Sequence, residues 1–390
     1  MSTRRRFGLV VAAVACGYAS AGALIPVLPR YVTGELGLGE VEVGLATGAL
    51  PLAMLLSRPF LGRLADVRGP RAGVVIGLVA CLLSAPLYAV AGSLEMLIVA
   101  RLMHGIGEAA VFTSGLVWAL RLLSADRGGA AISYFGVAVW AGFSSGPLLG
   151  QVALDTWGYG AVWVVVGVAA VAGVVLAAAL PAMPPTPAPA GLRRSLVPRG
   201  AVVPGAGLAC AAVGMAAMLT FLVLLCDERE LGSGAAAIAV FAAVTLVSRI
   251  ALGRMPDRLG GRRSTFVAAA FGSVALLLVA VAQLWVVVAL GAALWGLCWT
   301  FMFPGLGMLV VERVPAAQRG AGLAVYSGFY DASFGLSAPL LGLIASASGY
   351  GAAFAVAAVS TAAAALAAIR TPSGRHAPGS GAHAAARDAA

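Results

Sequence analysis

Ser57 to Arg71 reads SRPFLGRLADVRGPR, and Ser248 to Arg262 reads SRIALGRMPDRLGGR. Eight of the fifteen positions are identical at an offset of 191 residues: the Ser, Arg, Leu, Gly-Arg, Asp, Gly and final Arg. A second match follows at an offset of 192. There Arg127, Gly128, Tyr134, Gly136 and the PLLG of 147–150 recur as Arg319, Gly320, Tyr326, Gly328 and the PLLG of 339–342. A repeat of about half the chain length, slipping by one residue, means two related halves. In both copies the charged cluster interrupts apolar runs long enough to cross a bilayer.

Composition agrees with that reading. Of 390 residues, 61% are hydrophobic and only 10% charged, with a mean hydropathy of +0.98. Soluble domains carry roughly 25% charged residues, so a water-soluble protein is excluded. The pattern predicts an all-α membrane protein with twelve transmembrane helices in two pseudo-symmetric six-helix bundles. The spans fall at 7–30, 43–62, 72–92, 95–119, 129–152, 161–181, 202–226, 234–253, 264–284, 286–311, 321–345 and 350–369. Residues 1–183 then form an N-terminal bundle and 201–370 a C-terminal one. The Pro-rich basic stretch 184–200 is a semi-stiff cytoplasmic linker, since prolines rule out a continuous helix. The tail 371–390 has no apolar face and is expected to be disordered.

The formal net charge of +10 could point to nucleic acid, but the placement of the charges argues for topology instead. All 25 basic residues are Arg. Arg58, Arg101 and Arg249 fall within spans, Arg30 and Arg229 on one set of loops, and the remaining 20 on the other. Loop Arg mark the cytoplasmic side, so both termini are expected in the cytoplasm of a multi-pass protein of the cell (inner or plasma) membrane. The bilayer is then the macromolecular partner, not nucleic acid. Arg4–Arg6 before an apolar run resembles a signal peptide; eleven further spans make an uncleaved first span the better reading. Cys16, Cys81, Cys210, Cys226 and Cys298 lie in apolar spans without metal spacing, so no disulfide, metal or cofactor is expected.

Gly62, Asp66, Gly69 and Arg71 sit where the second span meets the third, and Gly253, Asp257, Gly260 and Arg262 repeat them. An Asp there can cap a helix or pair with an Arg, and the glycines permit a tight turn. The stretch GRLADVRGPR resembles the cytoplasmic loop signature of the major facilitator superfamily. Arg101-Leu-Met-His104-Gly105 resembles its fourth-span Arg motif, and Gly142, Gly146, Pro147 and Gly150 its fifth-span motif associated with exporters. Pro70 and His104 depart from the usual pattern. The text around Asp331, with GIGE in the fourth span, is most similar to the arabinose-efflux-permease-like, drug–proton antiporter-like subgroup.

The resemblance implies a major facilitator fold whose first, fourth, seventh and tenth spans line a central cavity. Arg101, His104 and Glu108 are spaced i, i+3 and i+7 on one helix. An ionisable group inside a span costs several kcal/mol unless paired or hydrated, which makes Glu108 and Arg101 functional candidates. Glu108 is then the proton carrier, paired with Arg101; the alternative is a static pair that holds helices together. Asp331 is the other acid within a span, and the resemblance sets it against Arg58 across the halves. Arg249, the repeat mate of Arg58, finds Val139 and Trp140 near the position mating with Asp331. Gly142, Gly146, Pro147 and Gly150 read either as a kinked inter-half contact or as ordinary helix packing. Trp295, Trp299 and Phe303, with Met215, Met218 and Phe221, read as a wall for apolar ligands or as a packing stripe. Trp157, Tyr159, Trp163 and Trp285 near outer ends read as an interface belt.

The leading expectation is a monomeric secondary transporter that exports a small organic molecule in exchange for protons, with the Asp66 and Asp257 loops latching the cytoplasmic side. An importer of a sugar-like or organic-acid solute is the alternative. An intramembrane enzyme would need a nucleophile–base set or metal ligands, and the spans offer neither.

Overall fold

The computed structural model describes residues 2–122, 128–184, 198–253, 255–315 and 318–370, the side chains at 65, 66 and 128–133 excepted. Residues 185–197 of the linker, the tail and the Asp66 carboxylate therefore lie outside the described residues or side chains, while Arg199 and Gly200 already belong to the next helix. Every long element is a helix, as Ala-, Val- and Leu-rich runs must be where hydrocarbon offers the backbone no partner. In order they are α1 (Thr3–Leu24), the short α2 (Leu28–Arg30) with a π-helical turn (Tyr31–Glu35), α3 (Glu40–Arg68), α4 (Pro70–Ala89), α5 (Leu94–Leu122), α6 (Gly128–Trp157) and α7 (Tyr159–Ala178). After the linker come α8 (Arg199–Glu228), α9 (Gly234–Leu252), α10 (Met255–Val281), α11 (Trp285–Arg313) and α12 (Arg319–Arg370). Among the described residues, 11 helical segments are long and apolar enough to cross a membrane. Helix starts follow local chemistry. Ser2 Oγ accepts from the Arg5 amide at 3.4 Å, and Ser233 Oγ from the Ala236 amide at 3.1 Å.

The repeat is legible in the backbone. Gly69 ends α3 at φ 83°, ψ 159°, and Gly260, its mate in the second copy, holds φ 77°, ψ 158° inside α10. Gly158 parts α6 from α7 at φ 79°, ψ −172°, and Gly349 bends α12 at φ 80°, ψ 165°. Side chains rarely tolerate this region, so glycine fixes all four breaks. The 52 residues of α12 would span about 78 Å if straight, more than twice the hydrocarbon thickness, so the break at Gly349 is required.

Extensive packing falls into two sets. Helices α1 and α3 to α7 pack on one another, as do α8 to α12. Two seams join the sets: α3 runs along α12, and α6 along α9. The α3/α12 seam is close. A Cβ at Gly44 would lie 2.4 Å from the Ala338 carbonyl oxygen, one at Gly48 2.4 Å from that of Gly335, and one at Gly342 2.4 Å from that of Glu40. Small residues let the backbones touch, and any side chain would part them.

The fifth-span stripe differs from the inter-half expectation. Gly142, Gly146, Pro147 and Gly150 face α1 in their own set. A Cβ at Gly142 would meet Ala15 O at 2.5 Å, one at Gly146 Ala19 O at 2.6 Å, and one at Gly150 Ala23 O at 2.1 Å. The reason is complementarity: a four-residue stripe of small side chains on α6 matches Ala15, Ala19 and Ala23 on α1. It is the mate stripe on α12, with Gly335, Pro339 and Gly342, that makes the contact between sets. The aromatic belt also divides. Trp157 is 74% exposed, but Trp163 is buried, stacked on Tyr88 at 5.4 Å and edge-on to Tyr31 at 5.3 Å.

Candidate functional site

The α3/α12 seam carries an ion pair. Arg58 Nη2 and Nε lie 2.6 and 2.7 Å from Asp331 Oδ2. Asp331 is almost wholly buried, while the Arg58 side chain keeps 21% of its surface exposed. The Arg58 guanidinium also sits 5.9 Å from the Phe112 ring. Glu108 on α5 lies within electrostatic reach of Arg101, Asp331 and Arg58. It is buried, and its Oε2 has no hydrogen-bond partner. Tyr18 of α1 is buried, and Tyr330 of α12 directly precedes Asp331 in the chain. Trp299 meets Tyr330 at 5.5 Å between ring centroids. A buried acid with an idle oxygen, within electrostatic reach of a buried ion pair, can take up and hand on a proton or a cation.

The fourth-span triad does not gather as one cluster. Arg101 donates from Nε to the Ala46 carbonyl of α3 at 3.1 Å and makes no ion pair with Glu108. Spacing of i and i+7 sets the two about 10.5 Å apart along the axis, and Arg101 turns toward α3 instead. His104 turns to α4, its Nδ1 3.0 Å from Ser84 Oγ. That hydroxyl donates to Cys81 O at 2.6 Å, so the ring proton belongs on Nδ1 and Nε2 is left as an unpartnered acceptor.

Of the tenth-span aromatics, Trp299 reaches the site and Trp295 does not. Trp295 is fully buried within the second set, where Gly214 and Gly272 clear space for its ring, and its indole nitrogen has no partner. Met215, Met218 and Phe221 are likewise buried core. A groove of 430 Å³ between α4 and α7, lined by Ala85, Pro86, Gly160, Trp163 and Val164, is apolar and lacks any group of the site.

The α6/α9 seam is different. The Arg249 guanidinium lies 5.7 Å from the Trp140 ring centroid, and Trp140 meets Phe241 edge-on at 5.5 Å. Arg249 makes no ion pair among the described residues. Among the described residues, the contacts of the first duplicated loop stay within its own set. A Cβ at Gly69 would lie 2.6 Å from Met183 O, and Arg71 Nη2 donates to Ala178 O at 2.7 Å, both within the first set. Asp257 and Arg262 are exposed. Gly62 has no neighbour near its Cβ position, while a Cβ at Gly253 would meet the Arg249 carbonyl.

The far end of the molecule is tied. Arg30 grips Asp227 through two 2.6 Å hydrogen bonds and donates to Gln151 Oε1 at 3.0 Å. The Tyr350 hydroxyl donates to Glu40 Oε1 at 3.3 Å. Sequence reasoning missed Arg30–Asp227, because nothing in either residue's surroundings pairs positions 197 apart. It also missed Tyr18 and Tyr330; a hydroxyl adjacent to Asp331 was the available signal for the latter.

Doubled helical units, close seams and buried charge define a multi-pass α-helical membrane protein of the transporter kind. The sequence model of the Major Facilitator Superfamily matches residues 10–271 and again 206–388, and the chain belongs to that superfamily. It is 34% identical over 357 residues to an uncharacterised MFS-type transporter of Burkholderia mallei (strain SAVP1), covering 89% of this chain and 87% of the relative. It is 31% identical over 344 residues to the uncharacterised MFS-type transporter YhhS of Shigella flexneri, covering 85% and 84%. Two solved structures share the fold. The human organic anion transporter MFSD10 (TETRAN) matches with TM-score 0.72 at 18% identity, over 94% of this chain and 100% of that one. The nucleoside transporter NupG matches with TM-score 0.76 at 13% identity, over 94% and 99%. The chain is thus a membrane transporter of the MFS type.

Proposed function

We propose that this transporter exports a small organic molecule, a drug or metabolite, in exchange for protons by alternating access. In this reading α12 crosses the bilayer twice, giving twelve crossings. Residues 1–183 and 201–370 are rocking bundles joined by the 184–200 linker. Both termini face the cytoplasm, the plasma membrane is the site of action, and one chain is the working unit. Within the superfamily the chain sits with the drug–proton antiporter-like, arabinose-efflux-permease-like members.

The observation that carries the proposal is the idle Oε2 of buried Glu108 beside the Arg58–Asp331 pair. A proton taken by Glu108 or Asp331 removes negative charge next to Arg58. Neutral Asp331 holds Arg58 less tightly, and the α3/α12 seam loosens. Substrate binding in the cavity favours release of that proton, which couples the two fluxes. The Arg30–Asp227 tie and the Tyr350–Glu40 bond support an outer end that is closed in this conformation. The Asp66 and Asp257 loops would then engage when the cytoplasmic end closes in turn.

The alternative is a proton-coupled importer of a sugar-like or organic-acid solute; Arg249, which has no acid partner among the described residues, favours an acidic one. Accumulation of a compound panel in a host stripped of its own exporters tests both. Export predicts lower accumulation that reverses when the proton gradient is collapsed. Higher accumulation of an organic acid, lost on collapse, would favour import.

A further inference from the structure

We infer that Arg249 is the docking point for an anionic group, carboxylate or phosphate-like, carried by the transported solute. The inference rests on the transporter reading above and names the chemistry of its solute.

Its first support is the broken symmetry of the repeat. Arg58 of α3 and Arg249 of α9 occupy the same place in the two copies. Arg58 meets a carboxylate on α12, at 2.6 Å. At the offset of 192 the α6 residue corresponding to Asp331 is Val139, next to Trp140. One seam therefore has cation and anion, and the other has the cation with an apolar residue in the anion's place.

Geometry gives the second support. Arg249 Nε is enclosed and has no hydrogen-bond partner. The ring of Trp140, 5.7 Å away, is the face it rests on. A cation–π contact is worth about 0.5–2 kcal/mol, less than the several kcal/mol that burying a charge costs. The Tyr326 hydroxyl donates to Phe303 O at 2.7 Å and so is not bonded to Arg249. Gly136, one turn before Trp140, brings the α6 backbone beside the guanidinium: a Cβ there would stand at ordinary contact distance, 3.5 Å, from Arg249 Nη1. The seam thus presents a guanidinium whose enclosed Nε donor is unused, set against a wall of Trp140 and Phe241. A guanidinium takes a carboxylate or phosphate through two parallel hydrogen bonds, and an aromatic wall suits a flat apolar body. The fitting solute is an amphipathic organic anion.

Benzoate serves as probe, benzamide as its neutral counterpart and inorganic phosphate as a bare anion. The full chain is held in phosphatidylcholine nanodiscs, with binding read by tryptophan fluorescence and thermal shift. Benzoate should bind saturably and raise the melting temperature, and benzamide should not. Arg249→Gln should lose at least tenfold in benzoate affinity, and Arg249→Lys should keep part of it. Val139→Asp keeps the guanidinium but supplies the missing carboxylate, so it too should lose benzoate binding; it serves as the test should Arg249→Gln fail to fold. Benzoate binding by Val139→Asp or Arg249→Gln within twofold of the wild-type value would overturn the assignment, as would a wild type that binds neither benzoate nor phosphate. Benzoate binding abolished in discs containing phosphatidylglycerol would make a lipid phosphate the occupant and overturn it also. Export in the accumulation screen without anion binding removes the anion site alone; anion binding without gradient-driven flux removes the exporter reading alone.

Discussion

Arg58 and Asp331 meet at 2.6 Å from positions 273 residues apart, one in each copy of the repeat. The pair stands on two helices whose backbones already touch at Gly48 and Gly335, so charge and steric fit act on the same seam.

Removing one partner of a buried pair leaves the other unpaired, at a cost of about 3–5 kcal/mol. The partial exposure of Arg58 puts Asp331→Asn near the lower bound. The double variant Arg58→Met, Asp331→Leu should recover most of that stability in thermal unfolding while still failing at gradient-driven export. A double variant as unstable as the single one would argue that the two residues act separately.

Glu108→Gln keeps the shape of the side chain and removes its charge. Expression and melting temperature should stay near wild type, because Oε2 gives up no hydrogen bond. Proton-driven flux in vesicles should fall at least tenfold. Undiminished flux would take the proton away from Glu108.

The seam glycines predict a contrast. Gly48→Val would force a side chain against the Gly335 carbonyl, whereas Gly62→Ala meets nothing within 4 Å. The first should lose transport and shorten the lifetime of the folded protein in detergent; the second should behave as wild type. Equal effects would mean that the close approach is not what holds the seam.

Asp227→Ala should free the Arg30 end. With spin labels at Glu35 and Ser233, the distance distribution should broaden toward longer separations than in the parent. An unchanged distribution would show that the bidentate pair follows closure rather than enforcing it.

Gly69 and Gly260 share a backbone conformation but not surroundings. Replacement by Ala should cost about 1–3 kcal/mol at each from backbone strain. Gly69→Ala should cost more, because its Cβ would press on Met183 O at 2.6 Å while Gly260 has open space. Chemical denaturation of the two variants under one condition measures the difference.

Much of the architecture was legible because membrane helices are specified by local composition, and because the duplication printed its own register. The offset that aligns Asp66 with Asp257 also aligns Gly69 with Gly260 and Gly158 with Gly349, and the backbone repeats at each glycine pair. The site was less legible. Helical spacing placed Arg101, His104 and Glu108 on a shared face, but long side chains choose among neighbours, and α3 offered Arg101 the Ala46 carbonyl. The stripe on α6 leaves two readings open, a contact between halves or ordinary packing, because glycine spacing announces a close helix without saying which one; it packs on α1. Trp295 and Trp299 stack at 6.3 Å between ring centroids yet meet different neighbours, one filling the space over Gly214 and the other facing Tyr330.

The unequal seams have a consequence for how such a molecule could arise. Two identical chains related by a twofold axis must place every residue twice, so a carboxylate opposite one arginine would appear opposite the other. Joining the copies in one polypeptide lifts that constraint. Asp331 can then answer Arg58, while Val139 and Trp140 stand before Arg249. Covalent fusion thus allows the same cation, written once in each copy, to keep different company: a carboxylate in one seam and an aromatic ring in the other.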